Sequence, residues 1–355
     1  MTVVAAHDGL GASFVEYDGR RVVEDYGRPT SAHRAVRNGV GAIEMGYGVV
    51  EVTGSDRIEY VDNVVSNRVP DEDGEGCYAL LLDPGGKIRA DLYVYNANER
   101  LLLFTPPSMA GEIAEEWAER TFIQDVEIRE ASTDFGVFGV HGPKSTEKIA
   151  SVLNHAGAPE PPLSFVRGSM ADEGVTVIAT DAPTGEEGYE VVCAAAAAEE
   201  VFDTLLTRGM NAAPFGHRTW RSLTLEAGTP LFEGELRDRV PNVFGLGNAV
   251  DYDKGCFVGQ EVVSKVQNRG QPSRRLVGLE PETVPEAGAG VTAGGDAVGE
   301  VTRADESPLL SRPVALALVD FDLETETVEV DGAEATIVDL PFVEGSATSG
   351  RLPSY

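Results

Sequence analysis

The sequence predicts an α+β protein that ends in a small β-barrel. Through most of the chain, short apolar segments with the period of a strand alternate with segments that have the period of a helix. This order favours α+β domains with mainly antiparallel sheets. After Pro272-Ser273 the pattern changes to short strands separated by turns about every 8–12 residues, which is typical of a barrel. A chain of 355 residues is long enough for two or three domains with cores of their own.

The first elements follow from apolar spacing and turn residues. Asp83-Pro84-Gly85-Gly86 is a turn sequence between two apolar segments, so we predict two strands joined by a tight turn. Ser55 follows an apolar strand and is a good helix N-cap. In order, the pattern predicts a strand at 49–52, a helix from Ser55, strands at 78–82 and 88–95, an amphipathic helix at 108–120 and a strand at 126–128.

The later elements are predicted in the same way, whereas residues 1–38 are mixed and polar and give only a turn. His141-Gly142-Pro143-Lys144-Ser145 lacks the glycine–lysine spacing of a phosphate loop, which excludes that kind of nucleotide site. We predict strands at 135–140, 175–180 and 191–193, a helix ending near Arg208, a helix at 220–228, and barrel strands at 274–279, 298–302, 313–319, 327–330 and 335–338.

The charge excludes two classes of partner. The chain carries 59 acidic and 28 basic residues, for a net charge of −31, and the acids are spread along its whole length. Such a surface argues against binding nucleic acid, which needs a basic patch, and against binding an anionic membrane. A lysine-poor acidic surface suits a cytoplasm with molar salt, where the screening length falls to about 3 Å. We therefore expect a halophilic source; the alternative is an acidic mesophilic protein.

Cysteines and histidines give no sign of a disulfide framework or a metal site. The three cysteines are far apart, and the five histidines are scattered. The chain also lacks an apolar run of about 18 residues and a secretory signal pattern. We expect a soluble, cytoplasmic protein without a metal site. The cysteines are Cys77, Cys193 and Cys256.

The octet Lys254–Glu261 is the most informative segment. Its sequence, Lys-Gly-Cys-Phe-Val-Gly-Gln-Glu, combines a cation, a thiol, two glycines, an amide and a carboxylate. Lys254 stands two residues before Cys256 and could favour the reactive thiolate. Three valines follow, so the octet predicts a site on a turn that leads into a buried, strand-like or core-like element. The alternative is a glycine-rich turn with a small buried cysteine.

Two further stretches place acids in apolar surroundings. Asp91 lies inside an apolar strand between Ala90 and Leu92, where an unpartnered carboxylate is unfavourable. Asp91 is either a functional residue or a residue on the solvent-exposed face of the strand. Glu186 and Glu190 belong to the stretch 184–190, which taken alone predicts a charged hairpin.

The octet resembles the signature of the YgfZ family, the folate-binding branch related to the T-protein (aminomethyltransferase) of the glycine cleavage system. Leu225-Glu226-Ala227-Gly228 is also similar to an element shared by both groups. The resemblance implies a three-domain T-protein-like architecture of two α+β domains and a barrel, with the second domain inserted in the first. The expected domains are 1–50 with 137–250 (folate-binding), 51–136 (ferredoxin-like, with 251–272 packing near it) and 273–355 (barrel).

The resemblance also implies roles for particular residues. Asp91 would lie near the reactive folate nitrogen, and Tyr78 would help to line the pterin pocket. Glu190, or Glu186 as second choice, would accept hydrogen bonds from the pterin ring. Lys254 and Gln260 would be further contacts to the cofactor, tetrahydrofolate. Thr224 stands where T-proteins usually carry an arginine associated with folate binding, and Ala90 replaces one of two adjacent acids.

Three functions are compatible with this pattern. The first is a tetrahydrofolate-binding, YgfZ-like role in iron–sulfur cluster assembly or repair on client proteins, with Cys256 carrying the function. The scattered cysteines would not hold a cluster themselves. The alternative is an aminomethyltransferase that takes an aminomethyl group from a lipoyl carrier protein, passes its carbon to tetrahydrofolate and releases ammonia, with Asp91 central. A non-catalytic folate-binding regulatory module is the third.

Overall fold

The computed structural model describes residues 1–355 except for the side chain of Arg269. Its helices alternate with strands up to residue 269, and strands and turns follow from there. The helices are α1 (Val4–Gly9), α2 (Pro29–Asn38), α3 (Arg57–Val64), α4 (Met109–Arg120), α5 (Ser145–Val152), α6 (Ala198–Thr207), α7 (His217–Glu226) and α8 (Gln260–Arg269).

The first sheet has six strands in the order β10-β11-β12-β9-β3-β13 and is antiparallel except for the β3–β13 pair. Helices α5 and α6 pack on it, and the rings of Phe138 and Phe202 stack at 5.2 Å in the core between them. The strands are β3 (Gly41–Glu44), β9 (Phe135–His141), β10 (Phe165–Met170), β11 (Glu173–Ala179), β12 (Gly188–Ala194) and β13 (Ala213–Pro214).

The second sheet has five antiparallel strands in the order β5-β6-β7-β4-β8. The predicted turn at 83–86 joins its two strands β5 and β6. Helix α4 covers the sheet with its apolar face, where Ile113 and Trp117 are buried. The strands are β4 (Gly48–Thr53), β5 (Gly76–Leu82), β6 (Ile88–Asn96), β7 (Arg100–Thr105) and β8 (Glu127–Glu130).

The last sheet is a closed barrel in the order β14-β17-β16-β15-β18-β19. Short valine and alanine side chains fill its interior, as a small barrel requires. The predicted α+β fold with a terminal barrel is therefore confirmed. The strands are β14 (Arg274–Pro281), β15 (Gly290–Ala293), β16 (Asp296–Ser307), β17 (Arg312–Asp320), β18 (Thr327–Val330) and β19 (Ala333–Val338).

Two terminal segments complete the molecule. Near the start, β1 (Ser13–Tyr17) and β2 (Arg20–Asp25) form a hairpin that the sequence did not predict. After β19 the chain returns to the first sheet, where the Ser346 amide donates a 2.8 Å hydrogen bond to Glu186. The amide of Ser354 donates to the carbonyl of Gly245 at 3.1 Å. The returning segment buries Arg351, whereas Ser354 and Tyr355 stay exposed.

The element after the octet differs from the prediction. It is helix α8, not a strand, because Val262, Val263 and Val266 share one helical face instead of alternating between two. Gly259 precedes it with a φ of +80°, and a Cβ there would lie 2.7 Å from the carbonyl oxygen of Asp83. The octet thus packs closely on the β5–β6 turn. The domain division at 50, 136, 250 and 272 stays a prediction.

Candidate active site

A pocket opens where the second sheet meets the loop after β3, the start of α7 and the C-terminal segment. It contains about 640 Å³ of empty space, measured out to its mouth. Aromatic rings form much of its wall, and charged groups face it from several segments. Its wall includes Tyr47, Asp91, Tyr93, Phe104, His217, Trp220, Glu233 and Arg351.

Asp91 lies on β6 and faces this pocket. Its side chain is 13% exposed, and the hydroxyl of Tyr78 on the neighbouring strand β5 donates a 2.9 Å hydrogen bond to its Oδ2. Burial raises the pKa of Asp91 above its ordinary value, because an ionised carboxylate is poorly solvated there. The positive charge of Arg351 and the Tyr78 hydrogen bond oppose that shift. The carboxylate is therefore held in place but left open to a ligand.

Arg351 is the cation at the centre of the site. Its Nη1 lies 3.6 Å from Asp91 Oδ2, and its Nε lies 3.3 Å from Oδ2 of Asp181. The Tyr93 hydroxyl donates to the other oxygen of Asp181 at 2.8 Å. The guanidinium also lies over the rings of Tyr78 and Tyr93, with 5.2 and 5.9 Å to their centroids. These contacts fix the two carboxylates relative to the aromatic wall.

Glu190 is buried behind Tyr47. The Tyr47 hydroxyl donates a 2.7 Å hydrogen bond to Glu190 Oε1, while Oε2 has no partner among the described residues. Burial raises the pKa of Glu190 to about 7. Tyr47 itself lines the pocket and stacks on Phe104 with 5.4 Å between the ring centroids. A buried acceptor oxygen thus remains unused one side chain behind the pocket wall.

The comparisons with known proteins cover both parts of the chain. The family model of the GCVT N-terminal domain matches residues 3–254, and that of the glycine cleavage T-protein C-terminal barrel domain matches residues 274–344. The chain belongs to the glycine cleavage T-protein family. The narrower resemblance to the YgfZ branch rests on the octet and stays a prediction.

Similar proteins extend this T-protein assignment over nearly the full length. The aminomethyltransferase of Corynebacterium aurimucosum is 32% identical over 344 residues, covering 92% of each chain. That of Streptomyces coelicolor is 32% identical over 335 residues, covering 89% of this chain and 88% of its own. The solved structure of glycine cleavage system aminomethyltransferase T from Bartonella henselae superposes with a TM-score of 0.85 at 24% identity, covering 98% and 99% of the chains. This superposition shows that the chain and the Bartonella henselae protein share a fold.

Tyr78 and Glu186, which the T-protein resemblance suggested as pocket residues, lie outside the pocket wall. Tyr78 is only 1% exposed and supports Asp91 from behind, so it does not line the pocket as expected. Glu186 accepts hydrogen bonds from Arg37 at 2.9 Å and from the amide and hydroxyl of Ser346 at 2.8 and 2.7 Å. Both of its oxygens are therefore engaged in tying the C-terminal segment to the first sheet.

Lys254 also has a different position from the one expected. Its ammonium group donates to the carbonyls of Asp62, Val65 and Asn67, and it lies 3.2 Å from the Asp62 carboxylate. An ammonium has three protons to donate, and all three are used at the carboxyl end of α3. Lys254 therefore caps this helix, and it has no proton left to hydrogen-bond the Cys256 thiolate or a ligand.

The cysteine of the octet is presented at the surface. Cys256 is exposed, whereas the neighbouring side chains of Lys254 and Phe257 are buried and hold the loop on both sides. This excludes the alternative of a small buried cysteine. Gln260 is half-buried at the first position of α8. Cys256 and Gln260 are both absent from the described wall of the Asp91 pocket.

Arg303 lies beside Thr224, the position at which the resemblance implies the loss of a T-protein arginine. Arg303, from barrel strand β16, donates a 3.0 Å hydrogen bond to the Thr224 hydroxyl and a 2.7 Å bond to the carbonyl of Thr229. It is 4% exposed, and its Nε lies 3.4 Å from the carboxylate of Glu235. A guanidinium from the barrel therefore reaches this position.

Sequence reasoning missed Arg351, Asp181, Tyr47, Tyr93 and His217. Each stands in a stretch without a motif, and long-range packing brings them together. The one available signal was the tyrosine-rich composition of the stretch 93–95 in a buried strand.

Within the described residues, no group of three or more His, Cys, Asp or Glu side chains could hold a metal ion. Of the helices that the structure describes, none is both long and apolar enough to cross a membrane.

Proposed function

We propose that this protein is an aminomethyltransferase that passes a one-carbon unit from a lipoyl carrier protein to tetrahydrofolate and releases ammonia. The observation that carries the proposal is the buried cluster of Asp91, Arg351 and Asp181 in an aromatic-walled pocket. It is supported by full-length relatives that are named aminomethyltransferases. A cytoplasmic location and a halophilic source are part of the same proposal, and the acidic composition supports the halophilic source.

The residues of the pocket fit tetrahydrofolate as a substrate. The pocket is concave and is lined by aromatic rings with a few charged groups, which is the kind of lining that small-molecule sites have. The flat pterin ring would pack against aromatic side chains of the wall such as Tyr47 or Tyr93. Its N–H groups need carboxylate acceptors, and Glu190 has a free buried oxygen for them. The pterin ring can contact Glu190 directly only if the Tyr47 ring turns aside. If the Tyr47 ring stays in place, Glu190 would act on the ligand through the Tyr47 hydroxyl to which it is hydrogen-bonded.

Asp91 would act through its charge and its position. The reaction forms two bonds from the aminomethyl carbon to two folate nitrogens and breaks the two bonds from that carbon to the lipoyl sulfur and to the amino group. The two folate N–H protons leave with these groups, as the lipoyl thiol and as ammonia. Positive charge develops on the carbon that is transferred. A carboxylate fixed by Tyr78 and partly shielded from water stabilises that charge more than bulk water does. Arg351 would keep Asp91 ionised and correctly oriented.

A comparison of two variants tests the proposal. We expect Asp91→Asn to bind tetrahydrofolate but to form methylenetetrahydrofolate at least about 100-fold more slowly than wild type. Cys256→Ser is the matched control, because Cys256 lies outside the described pocket wall, and it should retain the wild-type rate. A rate lost in Cys256→Ser and kept in Asp91→Asn would contradict the proposal.

A second function is favoured by one observation, the exposure of Cys256 between two buried anchors. This arrangement suits a YgfZ-like role in iron–sulfur cluster assembly or repair, with folate bound in the same pocket. In a strain that carries Cys256→Ser, iron–sulfur enzyme activities should fall if this function applies. Unchanged activities in that strain would exclude it. Folate binding without turnover and without dependence on Cys256 would indicate a regulatory module.

A further inference from the structure

His217, the first residue of α7, presents an unused polar ring to the pocket. Its side chain lines the same wall as Asp91 and is only 6% exposed. Neither ring nitrogen has a hydrogen-bond partner among the described residues. Tyr17 packs against the ring with 5.0 Å between the centroids, which fixes its orientation.

Such a ring is unusual unless something else completes its hydrogen bonds. More than about 90% of buried polar groups in proteins have a partner, and leaving one unpaired is unfavourable. Burial lowers the pKa of His217 to about 4, and the positive charge of Arg221 contributes in the same direction. At pH 7 the ring is therefore uncharged, with one nitrogen that donates and one that accepts.

The space beside the ring is open because residue 46 is glycine. Gly46 lines the pocket next to His217, and a Cβ at this position would lie 3.7 Å from Nε2 and 3.0 Å from a methyl group of Val22. The absence of a side chain keeps this nitrogen from being covered by the loop after β3. A partner on the pocket side must therefore come from outside the chain, from water or from a bound molecule.

We propose that His217 is a substrate-contacting residue whose imidazole hydrogen-bonds the molecule bound in the Asp91 pocket and helps to select it. This inference rests on the proposed function, because it takes tetrahydrofolate as the occupant. It adds a polar contact from α7 to those from β6 and the C-terminal segment. A site with such a buried group discriminates strongly against analogues that lack the matching polar atom.

Two variants test the inference by binding and by stability together. We expect His217→Phe to keep or raise the melting temperature of the free protein, because it removes unpaired polar atoms, and to weaken tetrahydrofolate binding at least tenfold. His217→Gln, which retains a donor and an acceptor, should bind with intermediate affinity. A variant His217→Phe that binds tetrahydrofolate as tightly as wild type would overturn the inference.

Histidine side-chain NMR of the wild type gives a second readout that does not depend on a variant folding. His141 is a matched internal control, since it is fully buried and both of its nitrogens also lack described partners, but it does not line the pocket. On titration with tetrahydrofolate, the ring signals of His217 should shift and those of His141 should not. Bound folate with an unchanged His217 signal would overturn this inference alone. A wild-type protein that binds no tetrahydrofolate would overturn the proposed function as well.

Discussion

The guanidinium of Arg351 lies 3.6 Å from the carboxylate of Asp91, although 260 positions separate the two residues in the sequence. Arg351 reaches this place because the segment after the barrel returns across the molecule. The Ser346 amide before it donates to the Glu186 carboxylate at 2.8 Å, and the Ser354 amide after it donates to the Gly245 carbonyl at 3.1 Å. The site is therefore complete only when barrel, sheets and C-terminal segment are assembled.

Removing Arg351 should affect both stability and activity. Loss of one partner of a buried ion pair leaves an uncompensated charge, so we expect Arg351→Gln to lower the free energy of unfolding by about 3 kcal/mol or more. Turnover should also be lost. Arg312→Gln is a suitable control, because Arg312 pairs with Glu280 at the surface and such pairs contribute about 1 kcal/mol or less. Equal, small effects in denaturant titrations of both variants would contradict a central role for Arg351.

Glu190 should make stability depend on pH in a specific direction. Its pKa rises from 4.5 to about 7 on folding, so the folded state favours the protonated form. The free energy of unfolding that Glu190 contributes is fully present below about pH 4.5 and is lost as the pH rises through 7. Relative to Glu190→Gln, the wild type should lose about 3 kcal/mol of unfolding free energy between pH 4.5 and 7. Denaturant titrations of both proteins across this range measure the difference, and a constant difference would contradict it.

Lys254 should be a structural residue. In Lys254→Met the carbonyls of Val65 and Asn67 lose their donor, and we expect the free energy of unfolding to fall by about 2 kcal/mol. Tetrahydrofolate affinity should stay close to the wild-type value when it is measured well below the melting temperature. Normal stability combined with lost folate binding would instead support the ligand contact expected from the sequence.

The rate of reaction with a thiol reagent should distinguish Cys256 from the other two cysteines. Cys256 is exposed, whereas Cys77 and Cys193 are buried and burial raises their pKa values to about 12. A thiol reagent should modify one cysteine per native chain and all three after unfolding. The native Cys256→Ser protein should not react. Rapid modification of that variant would show that a buried cysteine is accessible.

Salt should stabilise the protein. With a net charge of −31, mutual repulsion of carboxylates opposes folding, and salt screens it. We expect the melting temperature to rise between about 0.1 and 2 M KCl, where the screening length shortens from about 10 Å to about 3 Å or less. A flat or falling melting temperature would contradict the halophilic interpretation.

Local patterns predicted most of the scaffold. The turn at 83–86 and the apolar strands beside it are found as expected, since turn chemistry and a period of two are local properties. Helix α8 was missed because three closely spaced valines suit a strand or one helix face equally well. The β1–β2 hairpin was missed because its short strands are largely polar on their exposed side.

The site was predictable only in part. A carboxylate in an apolar strand is locally unusual and made Asp91 a candidate, and the T-protein resemblance gave it a role. Asp181 and Arg351 could not, because each is ordinary among its sequence neighbours and gains its role from contacts across the fold. Lys254 was misjudged for the same reason: the carbonyls that it caps lie nearly two hundred residues away in the chain.

The most direct measurement of the central claim is ammonia release from an aminomethyl-lipoyl carrier protein in high salt, with and without tetrahydrofolate. An aminomethyltransferase with its site at Asp91 and Arg351 should release ammonia only when tetrahydrofolate is present, and Asp91→Asn should abolish the release. If the wild type binds tetrahydrofolate but releases no ammonia, the transferase account is contradicted and the cysteine-dependent role becomes the better explanation.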